Sequence, residues 1–191
     1  DVSIPAGAAP GPLHLYVRAL SPSTSTQDRI HVAVVVNPVR SLVLTPNNSG
    51  TVFPGGFVLY SHTLVNNGNV VEGDGTGSSV SLDITHSQPG WTSVIRYDAD
   101  GNGVISAPDI VVSNLTFVSA GAAGIAPGES IRLLVQVFAP PGAALGTVDA
   151  ANFSATTVNG SYVTTVPPVA TVVDTTTVIA GDLTLLKEQA L

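Results

Sequence analysis

Residues Pro54-Gly55-Gly56-Phe57-Val58-Leu59-Tyr60-Ser61-His62-Thr63-Leu64-Val65-Asn66-Asn67-Gly68 read as turn, strand, turn. Pro presets the backbone for a turn, Gly and Asn tolerate the conformations a turn needs, and the β-branched and aromatic run between them suits a pleated, half-buried surface. The same unit recurs. Ser41–Leu44, Ser79–Ile84, Trp91–Tyr97, Ile110–Phe117, Ser130–Phe138, Thr147–Thr156 and Ser161–Val178 are strand-like, with turn signals at Gln88-Pro89-Gly90, Pro127-Gly128 and Pro140-Pro141-Gly142. Short strands at such regular spacing predict an all-β fold of the sandwich type.

Composition points the same way. Val, Leu, Ala and Ile dominate the apolar 44%, enough for a core, while Lys, Glu, Gln and Met are scarce or absent. Few segments therefore have the residues that favour a helix. The net charge is −7 with only six Lys and Arg, so no basic stripe exists to neutralise nucleic-acid phosphates or anionic headgroups. Cysteine is absent, which rules out a disulfide framework and leaves stability to the core and to any bound metal. No apolar run has the roughly 18 residues of a membrane-spanning helix. Methionine is missing even at position 1, and the expectation is a chain that starts after a cleavage.

Before Ser41 the strand-like segments are Leu13–Ala19 and Ile30–Val36, separated by the polar turn Ser21–Gln27. Leu13, Leu15 and Val17 alternate with His14, Tyr16 and Arg18, the period of a strand with one buried face. A weak internal repeat links this region to the other end of the chain. Val2–Gly11 resembles Val137–Gly146, each followed by strand, polar turn and a long Val/Thr-rich strand, and Ser41-Leu42-Val43-Leu44 parallels Asp182-Leu183-Thr184-Leu185. The organisation expected from this is a tandem array cut unevenly. Residues 1–38 are the closing strands of one domain, 39–179 a complete sandwich and 180–191 the opening strand of the next. An open sheet edge at either cut would invite pairing with another copy.

Asp98-Ala99-Asp100-Gly101-Asn102-Gly103-Val104-Ile105-Ser106-Ala107-Pro108-Asp109 reads as a calcium loop. Asp98, Asp100, Asn102, Ser106 and Asp109 put oxygen-bearing side chains at loop positions 1, 3, 5, 9 and 12; Gly103 stands at 6 and Val104 offers a carbonyl at 7. This is the ligand spacing of the EF-hand, with Asp109 in place of its bidentate Glu, as dockerin-like loops tolerate. The plainer reading is an Asp/Gly/Asn-rich turn. Against it, three uncompensated carboxylates at short range repel by on the order of a few kcal/mol, a cost that Ca2+ removes. Strands flank the loop, so nothing resembles the helix pair that a calcium sensor opens. A structural clip is expected, with Ser106 ligating directly or through water.

Other candidates are weaker. Glu72, Asp74 and Asp83 form an acidic neighbourhood around the Gly-rich stretch 72–77, whose plainer reading is a solvated loop. No Lys lies near it, which excludes a phosphate-binding loop. His14, His31, His62 and His86 show no metal-ligand spacing. No serine lies in Gly-x-Ser-x-Gly, and no His or Asp follows one at a recognisable spacing, so no enzyme is expected. Trp91 is expected in the core rather than under a sugar. The sole lysine, Lys187, lies beyond residue 179, which excludes a Lys–Asn cross-link within 39–179. Sequons at Asn47, Asn114, Asn152 and Asn159 arise easily in a chain this rich in Ser and Thr.

Taken together, Pro54-Gly55-Gly56-x-x-x-Tyr60-x-x-x-Leu64-x-Asn66-x-Gly68, the Asp98–Asp109 loop, Pro127-Gly128-Glu129 and Pro140-Pro141-Gly142-Ala143-Ala144 resemble the immunoglobulin-like tandem repeats of bacterial envelope proteins, with relatives in surface proteins of the Deinococcus and Thermus group. The resemblance covers roughly residues 39–190. It implies an immunoglobulin-like antiparallel sandwich in a tandem array, extracellular, acting as a structural repeat of an S-layer or envelope protein. Its partners would be other copies or domains of that array, and it transfers no catalytic residues. Two alternatives stand beside it: an adhesive module contacting a glycan or protein through residues 72–77 and Trp91, and a filament subunit assembled by strand donation.

Overall fold

A computed structural model describes residues 3–5, 7–116, 124–158 and 169–181. Phe117, residues 161–168 and 182–191, Val2 and Ala6 of the repeat, Asn159 and Lys187 lie outside the described residues.

Twelve strands and no helix occur among the described residues. They are β1 (Gly11–Leu20), β2 (Gln27–Val36), β3 (Leu42–Thr45), β4 (Asn48–Val52), β5 (Phe57–Asn66), β6 (Ser79–His86), β7 (Thr92–Tyr97), β8 (Ile110–Val111), β9 (Asn114–Leu115), β10 (Ser130–Phe138), β11 (Val148–Val158) and β12 (Val169–Val178). Two five-stranded sheets, ordered β3-β5-β10-β7-β8 and β4-β12-β11-β6-β9, face each other as an immunoglobulin-like sandwich. Alternation along the strands supplies the core. Leu64, Leu133, Val135 and Val137 of the first sheet and Val80, Phe153, Ala155 and Val172 of the second are buried. Burying a side chain as large as Phe153 stabilises by roughly 2–3 kcal/mol.

Two features of the sandwich differ from the sequence expectation. The run expected as one strand from Ile110 is two short ones, β8 pairing with β7 in one sheet and β9 pairing with β6 in the other. Ile110 and Val111 are exposed, whereas Val112 and Leu115 are buried as the chain crosses between the layers. The second is β4, built from Asn48-Ser49-Gly50-Thr51-Val52, which has no apolar alternation to announce it. It runs parallel to β12, the one parallel pairing in an otherwise antiparallel fold among the described residues. Side-chain oxygens help hold it there: Asn48 N donates to Asp174 Oδ1 at 3.1 Å, and Val173 N to Asn47 Oδ1 at 2.8 Å.

The motif that opened the reading is structural throughout. Tyr60 places its hydroxyl 2.8 Å from Thr176 Oγ1 in the opposite sheet, and Leu64 is fully buried. Asn66, also fully buried, donates to the Val70 and Ile125 carbonyls and accepts from Gly68 N. Gly68 lies against the segment that enters the sandwich: a Cβ there would stand 2.4 Å from the Val39 carbonyl oxygen.

β1 and β2 form a separate two-stranded sheet, in register from Gly11 opposite Val36 to Leu20 opposite Gln27. One face carries Leu13 opposite Val34, Leu15 opposite Val32 and Val17 opposite Ile30. The other carries Tyr16 stacked on His31, with Arg29 5.9 Å from the Tyr16 ring. The apolar face is open to solvent, with Val17 60% and Ile30 58% exposed. The ribbon joins the sandwich at the Asn66 end of β5, where Asn69 N donates to Val39 O and Asn67 N to Ser41 O. The described chain leaves at the Phe57 end, where Ile179 N donates to Val52 O. Entry and exit are thus separated by the length of β5, about 30 Å.

Candidate functional site

The Asp98–Asp109 loop connects β7 to β8, which pair as a short antiparallel ladder, Arg96 opposite Val111 and Tyr97 opposite Ile110. The loop is therefore the excursion of a hairpin, flanked by strands. Gly101 and Gly103 both take positive φ (69° and 79°), a conformation that costs glycine little.

Its carboxylates converge. Ligand oxygens of Asp98, Asp100 and Asp109 lie within 4.8 Å of one another, and Asp98 and Asp109 are buried while Asp100 is exposed. Ser106 joins them, its hydroxyl 3.0 Å from Asp100 Oδ2 and 3.1 Å from Asp109 Oδ2. Asn102 is placed differently. Its Oδ1 accepts from Val104 N at 2.8 Å and its NH2 group donates to Asp100 Oδ2 at 2.8 Å, leaving one Oδ1 lone pair for a ligand. Val104 stands at the exposed part of the loop, its side chain 57% exposed.

Backbone N–H groups curl around the charges. Asp98 accepts from Asn102 N and Gly103 N, and Asp109 accepts from Ala99 N and Ser106 N. Desolvation pushes the Asp109 carboxyl up, but the N–H groups of Ser106 and Ala99, the Ser106 hydroxyl and the charge of Arg96 outweigh it and hold the group below its ordinary value. Arg132 is a cation already at the rim. Its Nη1 lies 3.6 Å from Asp98 Oδ2 and donates to the Gly101 carbonyl. A hard divalent ion fits the oxygen donor set and would compete with this guanidinium for Asp98.

The second acidic neighbourhood is otherwise occupied. Glu72 is fully buried, 3.1 Å from Arg40 Nη1 and accepting from Ser78 Oγ at 2.9 Å. Asp74 accepts from the N–H groups of Thr76, Gly77 and Ser78, tying its own turn, and Asp83 is exposed on β6. Glu72 belongs to the interior and Asp74 is engaged within its own turn, while Gly75, Thr76 and Gly77 are exposed. Trp91 is 6% exposed and packs in the core, as its sequence context predicts. Of the residues considered for contact with a glycan or protein, Glu72 and Trp91 are buried.

Sequence reading missed the partners of the histidines, because each partner lies on another strand. His62, fully buried, contacts Asp174 Oδ2 at 2.9 Å. His86 contacts Asp149 Oδ2 at 2.7 Å and Ser93 Oγ at 2.9 Å. His14 and His31 stack across the ribbon, ring nitrogens 2.8 Å apart. Only the register, invisible in the chain order, brings them together.

No family model matches the chain, and no curated protein matches it. Solved structures do. A family 123 glycoside hydrolase from Clostridium perfringens aligns with a TM-score of 0.41 at 10% identity, over 74% of this chain and 27% of that one. Domains 4 and 5 of the S-layer protein SbsC align at 0.34 and 16%, over 90% and 59%. The 35 kDa C-terminal fragment of the major pilin GBS80 of Streptococcus agalactiae aligns at 0.34 and 10%, over 74% and 56%. The chain thus spans less than two thirds of each of these proteins. Their scores fall below 0.5, so no function is carried from them to this chain. The fold and its polar contacts define a class: an all-β sandwich with polar ties between its sheets, an oxygen-rich hairpin loop and an amphipathic ribbon with exposed apolar residues.

Proposed function

We propose that the chain is a structural unit of a secreted bacterial surface assembly, S-layer or envelope, in which the β1–β2 ribbon of one unit docks on the next. The observation that carries this reading is the ribbon's apolar face, on which Leu13, Val17, Ile30 and Val32 are exposed and Leu15 and Val34 half-buried. A lone two-stranded ribbon is marginal in water, and an exposed stripe of this kind marks an interaction surface. Entry at one end of the sandwich and exit at the other suit a linear array.

In this reading residues 1–38 act as closing strands for a neighbouring sandwich, 39–179 form the complete one and 180–191 open the next. Strand donation into a filament is the same act performed between separate chains. The more particular likeness to repeats with Deinococcus and Thermus relatives rests on the Tyr60–Gly68 and Asp98–Asp109 segments. Ca2+ bound by Asp98, Asp100, Asn102, Ser106 and Asp109, with the Val104 carbonyl, would stiffen the end of the sandwich from which the ribbon springs. The millimolar calcium of an extracellular setting fills even weak sites.

Light scattering after gel filtration tests the reading. Wild type should associate increasingly with concentration, and Val17→Asp with Ile30→Asp should remain monomeric with an unchanged sandwich melt. A wild type that stays monomeric at high micromolar concentration would exclude ribbon docking.

A further inference from the structure

A cleft opens at the edge of the sandwich where β6 of one sheet faces β7 of the other, and it contains an arrangement that the array reading does not use. Its volume is about 480 Å3, and Leu82, Ile84, Trp91 and Val112 give it apolar walls. His86 and Ser93 also line it. His86 closes β6 and Ser93 lies near the start of β7, so the short turn between the two strands brings the pair together across the layers. The Ser93 hydroxyl is 2.9 Å from His86 Nε2, and His86 Nδ1 is 2.7 Å from Asp149 Oδ2 on β11.

The order of these groups is nucleophile, base and orienting carboxylate, an arrangement defined by geometry rather than by chain order. Asp149 is fully buried, and its Oδ1 is fixed by Ser87 Oγ at 3.2 Å and Gln88 N at 3.0 Å. A carboxylate oxygen accepts, so Asp149 Oδ2 accepts the hydrogen bond of His86 Nδ1–H and leaves the Nε2 lone pair for the Ser93 hydroxyl. A donor for a developing oxyanion is also in place. The Ile95 carbonyl accepts from Val112 N on the β8 side of β7. Alternation along a strand sends the Ser93 N–H to that same side. The β7–β8 ladder is paired only at Arg96 and Tyr97, so the Ser93 N–H lies beyond its end, at the edge where Val111 and Val112 line the cleft.

We propose that Ser93, His86 and Asp149 form a hydrolytic centre for small carboxylic esters with a slim apolar acyl group. Ser93 Oγ attacks the ester carbonyl carbon while its proton passes to His86 Nε2. The carbonyl π pair moves onto oxygen, held by the Ser93 N–H. Collapse expels the alkoxide, which takes the proton from His86, and leaves the acyl group on Ser93. Solvent water then attacks the acyl carbon, gives a proton to His86 Nε2, and the acid departs as Ser93 Oγ recovers that proton. Asp149 holds the ring and stabilises the imidazolium formed in each half.

The whole chain, incubated with a fluorophosphonate probe and with p-nitrophenyl acetate and butyrate, provides the test. Expected are one phosphonylated site, mapped to Ser93 by peptide mass, and ester turnover lost in Ser93→Ala with its melting temperature unchanged. His86→Gln should lower turnover by about 100-fold or more, the usual worth of a positioned base. If His86→Gln disturbs the fold, labelling of wild type against Ser93→Ala decides alone. No labelling of wild type, labelling at another residue, or equal turnover in Ser93→Ala would overturn the proposal. Each outcome is independent of whether the ribbon mediates assembly.

Discussion

His62 Nε2 lies 2.9 Å from Asp174 Oδ2, both side chains fully buried, and the contact joins β5 of one sheet to β12 of the other. The remaining groups are satisfied around it: Asp174 Oδ1 accepts from Asn48 N, His62 Nδ1 is 3.1 Å from Pro46 O, and Phe153 meets the imidazole edge-on at 5.4 Å. Removing one member leaves the other buried without compensation. Asp174→Ala should therefore lower unfolding stability by about 3 kcal/mol or more, measured by urea titration. Asp174→Asn, which keeps an acceptor, should cost less.

Gly68→Ala tests the entry to the sandwich. The new Cβ would lie 2.4 Å from Val39 O and 3.1 Å from Ser41 N, both backbone atoms, so the entering segment has to move. A cost of about 1–3 kcal/mol is expected, as for other overpacked sites. An unchanged melt would mean that residues 39–41 are not held against Gly68.

Stability should fall at both ends of the pH scale for opposite reasons. Asp74, despite desolvation, is held below its ordinary value of 3.8 by N–H groups of its own turn and by Thr76, and Asp109 is lowered in the same sense. For a depressed acid the unfolded chain binds more protons in the interval, so its contribution is complete above 3.8 and is lost as pH falls through the folded value. Tyr60 behaves inversely. Burial raises its pKa above 10.0, with the nearby charges of Asp174 and Asp149 adding and the Thr176 hydrogen bond opposing, so its contribution is present below 10.0 and is lost as pH climbs further. Urea melts from pH 5 down to 3 should show the acid loss blunted in Asp74→Asn, and Tyr60→Phe should flatten the alkaline limb.

Calcium at millimolar levels should raise the melting temperature, and excess EGTA should reverse it. Stabilisation follows RT ln(1 + [L]/Kd), so a hundredfold excess over Kd adds about 2.7 kcal/mol. Asp100→Asn is the informative variant, because Asp100 is exposed while Asp98 and Asp109 are buried, and an amide oxygen can still accept from Asn102 N. It should abolish the calcium shift while leaving the apo melt in place. Arg132→Gln should strengthen binding by removing the competing cation. A melt indifferent to calcium would refute the clip.

Much of this architecture was legible from alternation and turn chemistry. β5 and β10 were readable because Pro-Gly or Asn-Gly turns bound an apolar run, and Trp91 because an isolated ring after Pro89-Gly90 starts a strand. β4 was not, since Asn48–Val52 is placed by pairing with β12 and by Asn47 and Asp174 rather than by a pattern of its own. The oxygen cluster was visible because its members lie within twelve consecutive residues. The His62–Asp174 and Ser93–His86–Asp149 contacts were hidden because they depend on which strands become neighbours. Likewise, Leu13, Leu15 and Val17 gave the period of a buried face, but the chain order does not say what covers it.

Amide hydrogen exchange, followed residue by residue in dilute and in concentrated protein, tests the central claim most directly. Docking of the ribbon on a second copy predicts protection rising with concentration at residues 13–17 and 30–34, with the β5 and β10 amides already protected and unchanged. Equal exchange across the ribbon at both concentrations would contradict it.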